Sequence, residues 1–109
     1  MSTPHWSLAD IQKAADQEAP KPIFVYKHST RCSVSRWAWM HIANHAKVLQ
    51  EENRFFFVDV ISERSLSNQI AAHYKVTHES PQLLQIVGDV CIKNASHDSV
   101  NPDFFEENI

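Results

Sequence analysis

The sequence predicts an α/β fold, a four-stranded mixed sheet flanked by helices with an additional helix ahead of it. Three observations predict this. Two dense apolar runs, Ile23-Phe24-Val25-Tyr26 and residues 55–60, lack clean alternation, as expected of central strands covered on both faces. Between them Val34, Ala38, Ile42, Ala46 and Leu49 recur at helical spacing, so the two strands should be parallel and joined through a helix. Further on, residues 82–87 and 90–94 are separated only by Gly88-Asp89, a hairpin signal that makes those strands antiparallel.

Taken in order, Ser7 is placed as a helix N-cap with Asp10 three residues on, and Trp6 as a staple against Ile11. Leu8, Ile11, Ala14 and Ala15 give that helix one apolar face, to about Glu18, before Pro20 and Pro22 close it. The long helix after the first strand is expected from Ser33 to about Leu49. Trp37 and Trp39 lie roughly 200° apart around it, so one must leave the main stripe, and Trp39 is placed on the exposed side. Ser62 is expected to cap a third helix carrying Leu66, Ile70 and Tyr74 and ending near Val76. Asn101-Pro102 opens a short terminal helix anchored by Phe104 and Phe105.

The chain's 109 residues suit one domain, 1–109, with residues 1–20 as an N-terminal helical extension. Ten basic against thirteen acidic residues, with no basic block, give no reason to expect nucleic acid or a membrane surface as partner. Two cysteines without a charged and apolar leader point to a reducing compartment, the cytoplasm. Gly88 is the only glycine, which excludes glycine-rich phosphate loops.

What remains is thiol chemistry. A strand that delivers Cys32 to the first turn of a helix puts the sulfur where unpaired N–H groups and the helix dipole favour a thiolate. Cys32-Ser33-Val34-Ser35 reads C-x-x-S, so Ser35 stands where a dithiol motif has its second sulfur. The competing reading is a buried structural cysteine. Arg31, Arg36, Lys27 and His28 are candidate electrostatic helpers. Cys91, on the last strand, reads as a packing residue away from Cys32. His41 and His45 have the i, i+4 spacing of a metal pair, but no third ligand stands near them in the sequence, and packing is the simpler reading.

The order of elements, a cysteine between the first strand and its helix, and Pro81 opening the third strand together resemble the thioredoxin fold. More closely, the chain resembles the YtxJ-type bacilliredoxins, monothiol proteins of the bacillithiol system. The matching residues are Lys27-His28-Ser29-Thr30, Cys32 with Ser35, Arg64 and Ser67 with Ile70-Ala71, the run Val76-Thr77-His78-Glu79-Ser80-Pro81-Gln82, and Ala95-Ser96-His97. Arg31 and Ser33 depart from the threonine and proline usual beside the cysteine in that family.

The resemblance implies that Cys32 is the catalytic thiol and that Pro81 is cis and faces it, with Ser80 offering backbone groups to a substrate chain. Thr30, Arg31, Ser33, Ser35, His78, Ser80 and Pro81 would then line the thiol and substrate site. It also implies S-thiolated client proteins as partners and bacillithiol, or another low-molecular-weight thiol, as co-substrate, with no tightly bound cofactor and no metal. Ser35 has no thiol, so a second thiol must reset the protein. Lowering a thiol from about 8.5 to about 6.5 raises its thiolate fraction near pH 7.5 about ninefold, while a Brønsted slope of ~0.45 removes about eightfold from its nucleophilicity. The gain therefore lies in the reset step, where Cys32 leaves. The alternative is a thioredoxin-like binding module that presents the Pro81 edge without turnover. Iron–sulfur delivery is discounted, because the glycine and phenylalanine of such monothiol proteins are missing between Cys32 and Ser35.

Overall fold

A computed structural model describes residues 6–105, so the first five residues of the expected N-terminal extension lie outside the described part. The chain runs α1 (Leu8–Glu18), β1 (Ile23–His28), α2 (Ser33–Glu51), β2 (Phe55–Asp59), α3 (Arg64–Tyr74), β3 (Gln82–Val87) and β4 (Val90–Ser96). Short 3-10 turns at His97–Ser99 and Pro102–Phe105 follow. The sheet order is β2-β1-β3-β4, with β1 parallel to β2 and antiparallel to β3, and β4 antiparallel to β3.

All six residues of β1 are buried, as its uninterrupted apolar start requires. Successive residues of a strand face opposite sides, and the two sides make two cores. Ile23, Val25, Phe56, Val58, Leu84 and Ile86 pack with Ile11 and Ala15 of α1 and Leu66, Ile70 and Tyr74 of α3. Phe24, Tyr26, Phe55 and Leu83 pack with Ala38, Ile42 and Ala46 of α2 and with Phe104. The same alternation points Lys27 towards α3 and His28 towards α2, so β1 ends in two buried polar residues on opposite faces.

Ser7 caps α1 as expected. Its hydroxyl accepts from the Asp10 N–H and the Asp10 carboxylate accepts from the Ser7 N–H. Trp6 meets Phe56 edge-on at 4.9 Å. Gly88, at φ +59°, makes the hairpin turn.

Several expectations are corrected. Val34 is 41% exposed, because Ser35, Ala38, Ile42 and Ala46 form the buried stripe of α2. The two tryptophans change places: Trp39 stacks on Tyr26 at 5.5 Å, while Trp37 is 51% exposed beside His41. Ser62 caps nothing. The Asp59 carboxylate takes the Ile61 and Ser62 N–H groups in a turn, and Glu63 occupies the cap position of α3. That helix stops at Tyr74 because Lys75 adopts the left-handed conformation at φ 58°. The terminal helix is a 3-10 turn, with Asn101 Oδ1 accepting from the Asp103 N–H.

Candidate active site

The chain leaves β1 at His28, turns through Thr30 and Arg31, and enters α2 with Cys32 as the N-cap residue. Cys32 has extended backbone angles, its N–H donates to Ser29 O at 3.1 Å, and its carbonyl accepts from the Arg36 N–H at 3.2 Å. A cysteine lacks the oxygen that usually caps a helix, so the N–H groups of the first turn are left facing sulfur. The thiol is pulled below its ordinary value, first by the Ser35 backbone N–H and further by the Ser35 hydroxyl, the Val34 N–H and the Arg36 charge, against the opposing effect of burial.

This ranks the helpers that composition alone left open. Of the four basic side chains, Arg36 contributes, Arg31 is exposed and is not among the groups that shift the thiol, and Lys27 and His28 are buried at the end of β1. Thr30 and Ser33 are also exposed and are absent from the groups that shift the thiol. Ser35 is buried, with a hydroxyl that meets no nitrogen or oxygen partner among the described residues.

Beneath the cysteine, on the α2 face, the Tyr26 hydroxyl donates to Ser35 O at 3.0 Å and lies 3.1 Å from His28 Nδ1. On the α3 face, the buried Lys27 ammonium donates to Ser67 O at 3.0 Å and lies 3.2 Å from His78 Nδ1. An ammonium is only a donor, so Nδ1 of His78 accepts and its ring proton sits on Nε2. Burial lowers the Lys27 pKa to about 8. Burial, with Lys27 and Arg64 nearby, lowers that of His78.

The loop that opens β3 lies at the same end of the sheet, since Gln82 pairs with Lys27 across β1 and β3. Its Ser80–Pro81 peptide is cis, Pro81 is buried, and Pro81 O accepts from the His97 N–H at 3.0 Å. The Glu79 carboxylate accepts from Ser96 Oγ at 3.2 Å and meets His97 Nε2 at 2.8 Å. The end of β4 thus braces the 79–81 loop. The fold brings Cys32, Ser35, His78, Ser80 and Pro81 to one end of the sheet and leaves Thr30, Arg31 and Ser33 on the solvent rim.

Cys91 is on the edge strand β4, packed against the core on the α1 and α3 side, with its thiol donating to Lys93 O at 3.4 Å. Burial pushes its pKa up. The sequence reading missed Tyr26 and Ser67 as polar parts of the site. The available signal was the pair Lys27-His28 at the end of a strand that should have been apolar throughout. The His41 ring lies tilted against Trp37 at 3.8 Å with its Nδ1 2.8 Å from Trp37 O, and His45 stacks on Phe105 at 5.2 Å. No helix among the described residues is long and apolar enough to cross a membrane.

A thioredoxin-like sheet with one thiol at a helix start defines the class: a thioredoxin-fold protein of the monothiol kind. The chain matches the monothiol bacilliredoxin BrxC family over residues 6–104 and belongs to that family. It is 31% identical to a solved structure described as a proposed oxidoreductase with a thioredoxin fold, at a TM-score of 0.73, covering 89% of this chain and 83% of that one. The thioredoxin of Fasciola hepatica is 23% identical at a TM-score of 0.65, covering 90% and 86% of the two chains. Mitochondrial thioredoxin 3 of Saccharomyces cerevisiae is 20% identical at 0.61, covering 90% and 83%. The last two bear on the fold alone. Family and fold together support a thiol oxidoreductase role.

Proposed function

We propose that this protein is a monothiol thiol-disulfide oxidoreductase of the YtxJ type, working in the cytoplasm to remove bacillithiol from mixed disulfides on client proteins. The observation that carries the reading is the first turn of α2, where Ser35, Val34 and Arg36 all favour the thiolate of Cys32. The Cys32 thiolate attacks the bacillithiol sulfur of the mixed disulfide. The old S–S bond breaks, the client leaves as a thiolate, and Cys32 carries the bacillithiol. A second low-molecular-weight or protein thiol then attacks that bacillithiol sulfur, expels Cys32 as thiolate and takes over the disulfide. The net change is a disulfide exchange: the client regains its thiol, the second thiol ends in a disulfide with bacillithiol, and Cys32 is regenerated.

In this scheme the Ser80 backbone receives the client chain beside the sulfur, His78 offers its Nε2–H, and Thr30, Arg31 and Ser33 form the rim that meets the small thiol. The stabilised thiolate serves chiefly as leaving group in the reset. The test is loss of the bacillithiol mass from a modified client in the presence of a reducing thiol, read by mass spectrometry. Release by the parent and its loss in Cys32→Ala are expected. Binding of the client without release would favour a thioredoxin-like docking module instead.

A further inference from the structure

We propose that Tyr26 and His28 are a positioning pair for the nucleophile, acting through Ser35 to hold the donors that face the Cys32 sulfur. This rests on Cys32 as the attacking thiol and goes on to say what keeps it activated. Three atoms stand in a row: Ser35 O, Tyr26 Oη at 3.0 Å, and His28 Nδ1 at 3.1 Å from that hydroxyl. A phenol has one proton, and Tyr26 gives it to the Ser35 carbonyl. The contact with His28 therefore requires Nδ1–H to donate to Tyr26 Oη, which fixes the His28 ring as the Nδ1–H tautomer.

All three residues are buried, so the row is insulated from competing water. Tyr26 and His28 lie on β1, held by β2 on one side and β3 on the other, so the row is anchored to the centre of the sheet. The Tyr26 ring also stacks on Trp39 at 5.5 Å, four residues beyond Ser35, and the His28 ring lies 5.1 Å from Phe57. The start of α2 is thereby tied to the strand beneath it at two successive turns, by the hydrogen bond at Ser35 and by the ring contact at Trp39. Helix ends fray, and Cys32 supplies no cap bond of its own. Ser35 carries two of the donors that lower the thiol, its N–H and its otherwise unpartnered hydroxyl, so a mobile Ser35 would weaken both.

The charged and titratable groups around the row agree with this role. Burial, helped by the facing Cys32 charge, pushes the Tyr26 phenol far up, so it remains a donor beside a thiolate. Burial lowers His28 against the opposing pull of Asp59 on β2, which keeps the imidazole neutral near pH 7. Arg36 on α2 faces the sulfur itself. A phenylalanine at position 26 would fill the core as well as tyrosine does, and the hydroxyl is the part that serves α2.

The test uses the full chain with Cys91→Ala, leaving one thiol, and follows the rate of iodoacetamide alkylation of Cys32 against pH. Tyr26→Phe is expected to raise the midpoint by about half to one pH unit, slowing alkylation below it about three- to tenfold. His28→Leu, which leaves the hydroxyl in place but without its donor, should shift the profile the same way by less. Cooperative melting of each variant identifies those that fold. An unchanged alkylation profile in a folded Tyr26→Phe protein, or in a folded His28→Leu protein if the first does not fold, overturns the proposal. Alkylation needs no turnover, so the two failures are read separately: bacillithiol release that survives Cys32→Ala overturns the functional reading, and an unchanged alkylation profile overturns the positioning role.

Discussion

The two cysteines are both partly exposed and both free, yet the fold drives them in opposite directions. Cys32 sits at the start of α2, where N–H groups without helical partners face its sulfur and lower its pKa. Cys91 sits in the edge strand β4, where burial raises its pKa against the Lys93 and Gln85 N–H groups that favour its thiolate. What separates the two thiols is the balance at each sulfur: burial outweighs the N–H groups that meet Cys91, and the N–H groups outweigh burial at Cys32.

The sharpest way to break that contrast is competitive alkylation of the native protein at neutral pH. Cys32 should be modified at least about tenfold faster than Cys91, read by peptide mass spectrometry, and equal rates would erase the distinction. A smaller effect is expected from Ser35→Ala, which removes the hydroxyl but keeps the more important backbone N–H. Alkylation of Cys32 at pH 6 to 7 should slow about twofold to fourfold, and a larger fall would mean that the hydroxyl outweighs the N–H.

The smallest expected effect concerns stability. The folded pKa of Cys91 lies above its unfolded value, so its contribution is fully present below the unfolded thiol pKa, about 8.5, and is lost as pH rises through the folded value. Cys91→Ala should accordingly flatten the decline in urea stability on the alkaline side. Cys32 carries the opposite sign, with a contribution lost as pH falls through its folded value, so Cys32→Ala should leave the alkaline decline in place.

Sheet, helices and hairpin were legible because each has a local signal: undivided apolar runs at Ile23 and Phe55, a helical stripe through Ala38, Ile42 and Ala46, and Gly88 at the turn. Trp37 and Trp39 were not, because periodicity fixes their angular separation and leaves open which one meets the sheet. Packing on Tyr26 decides it. Ser62 has the usual residue type for a cap, but it lies in the turn built around the Asp59 carboxylate, and the cap position falls one residue later, at Glu63. For the site, position and residue type identified Cys32, Ser35, His78 and Pro81 as candidates. The partners that tune them were hidden, since Tyr26 meets Ser35 and Lys27 meets Ser67 and His78 only across the fold. Hydrogen bonds between residues distant in sequence leave no periodic trace.

The central claim, that one sulfur carries the exchange, is tested most directly by quenching a reaction with a bacillithiol-modified client before any reducing thiol is added. Mass spectrometry of the digest should find the bacillithiol mass on the Cys32 peptide and an unmodified Cys91 peptide. A released client with Cys32 unmodified, or the adduct on Cys91, would contradict the account.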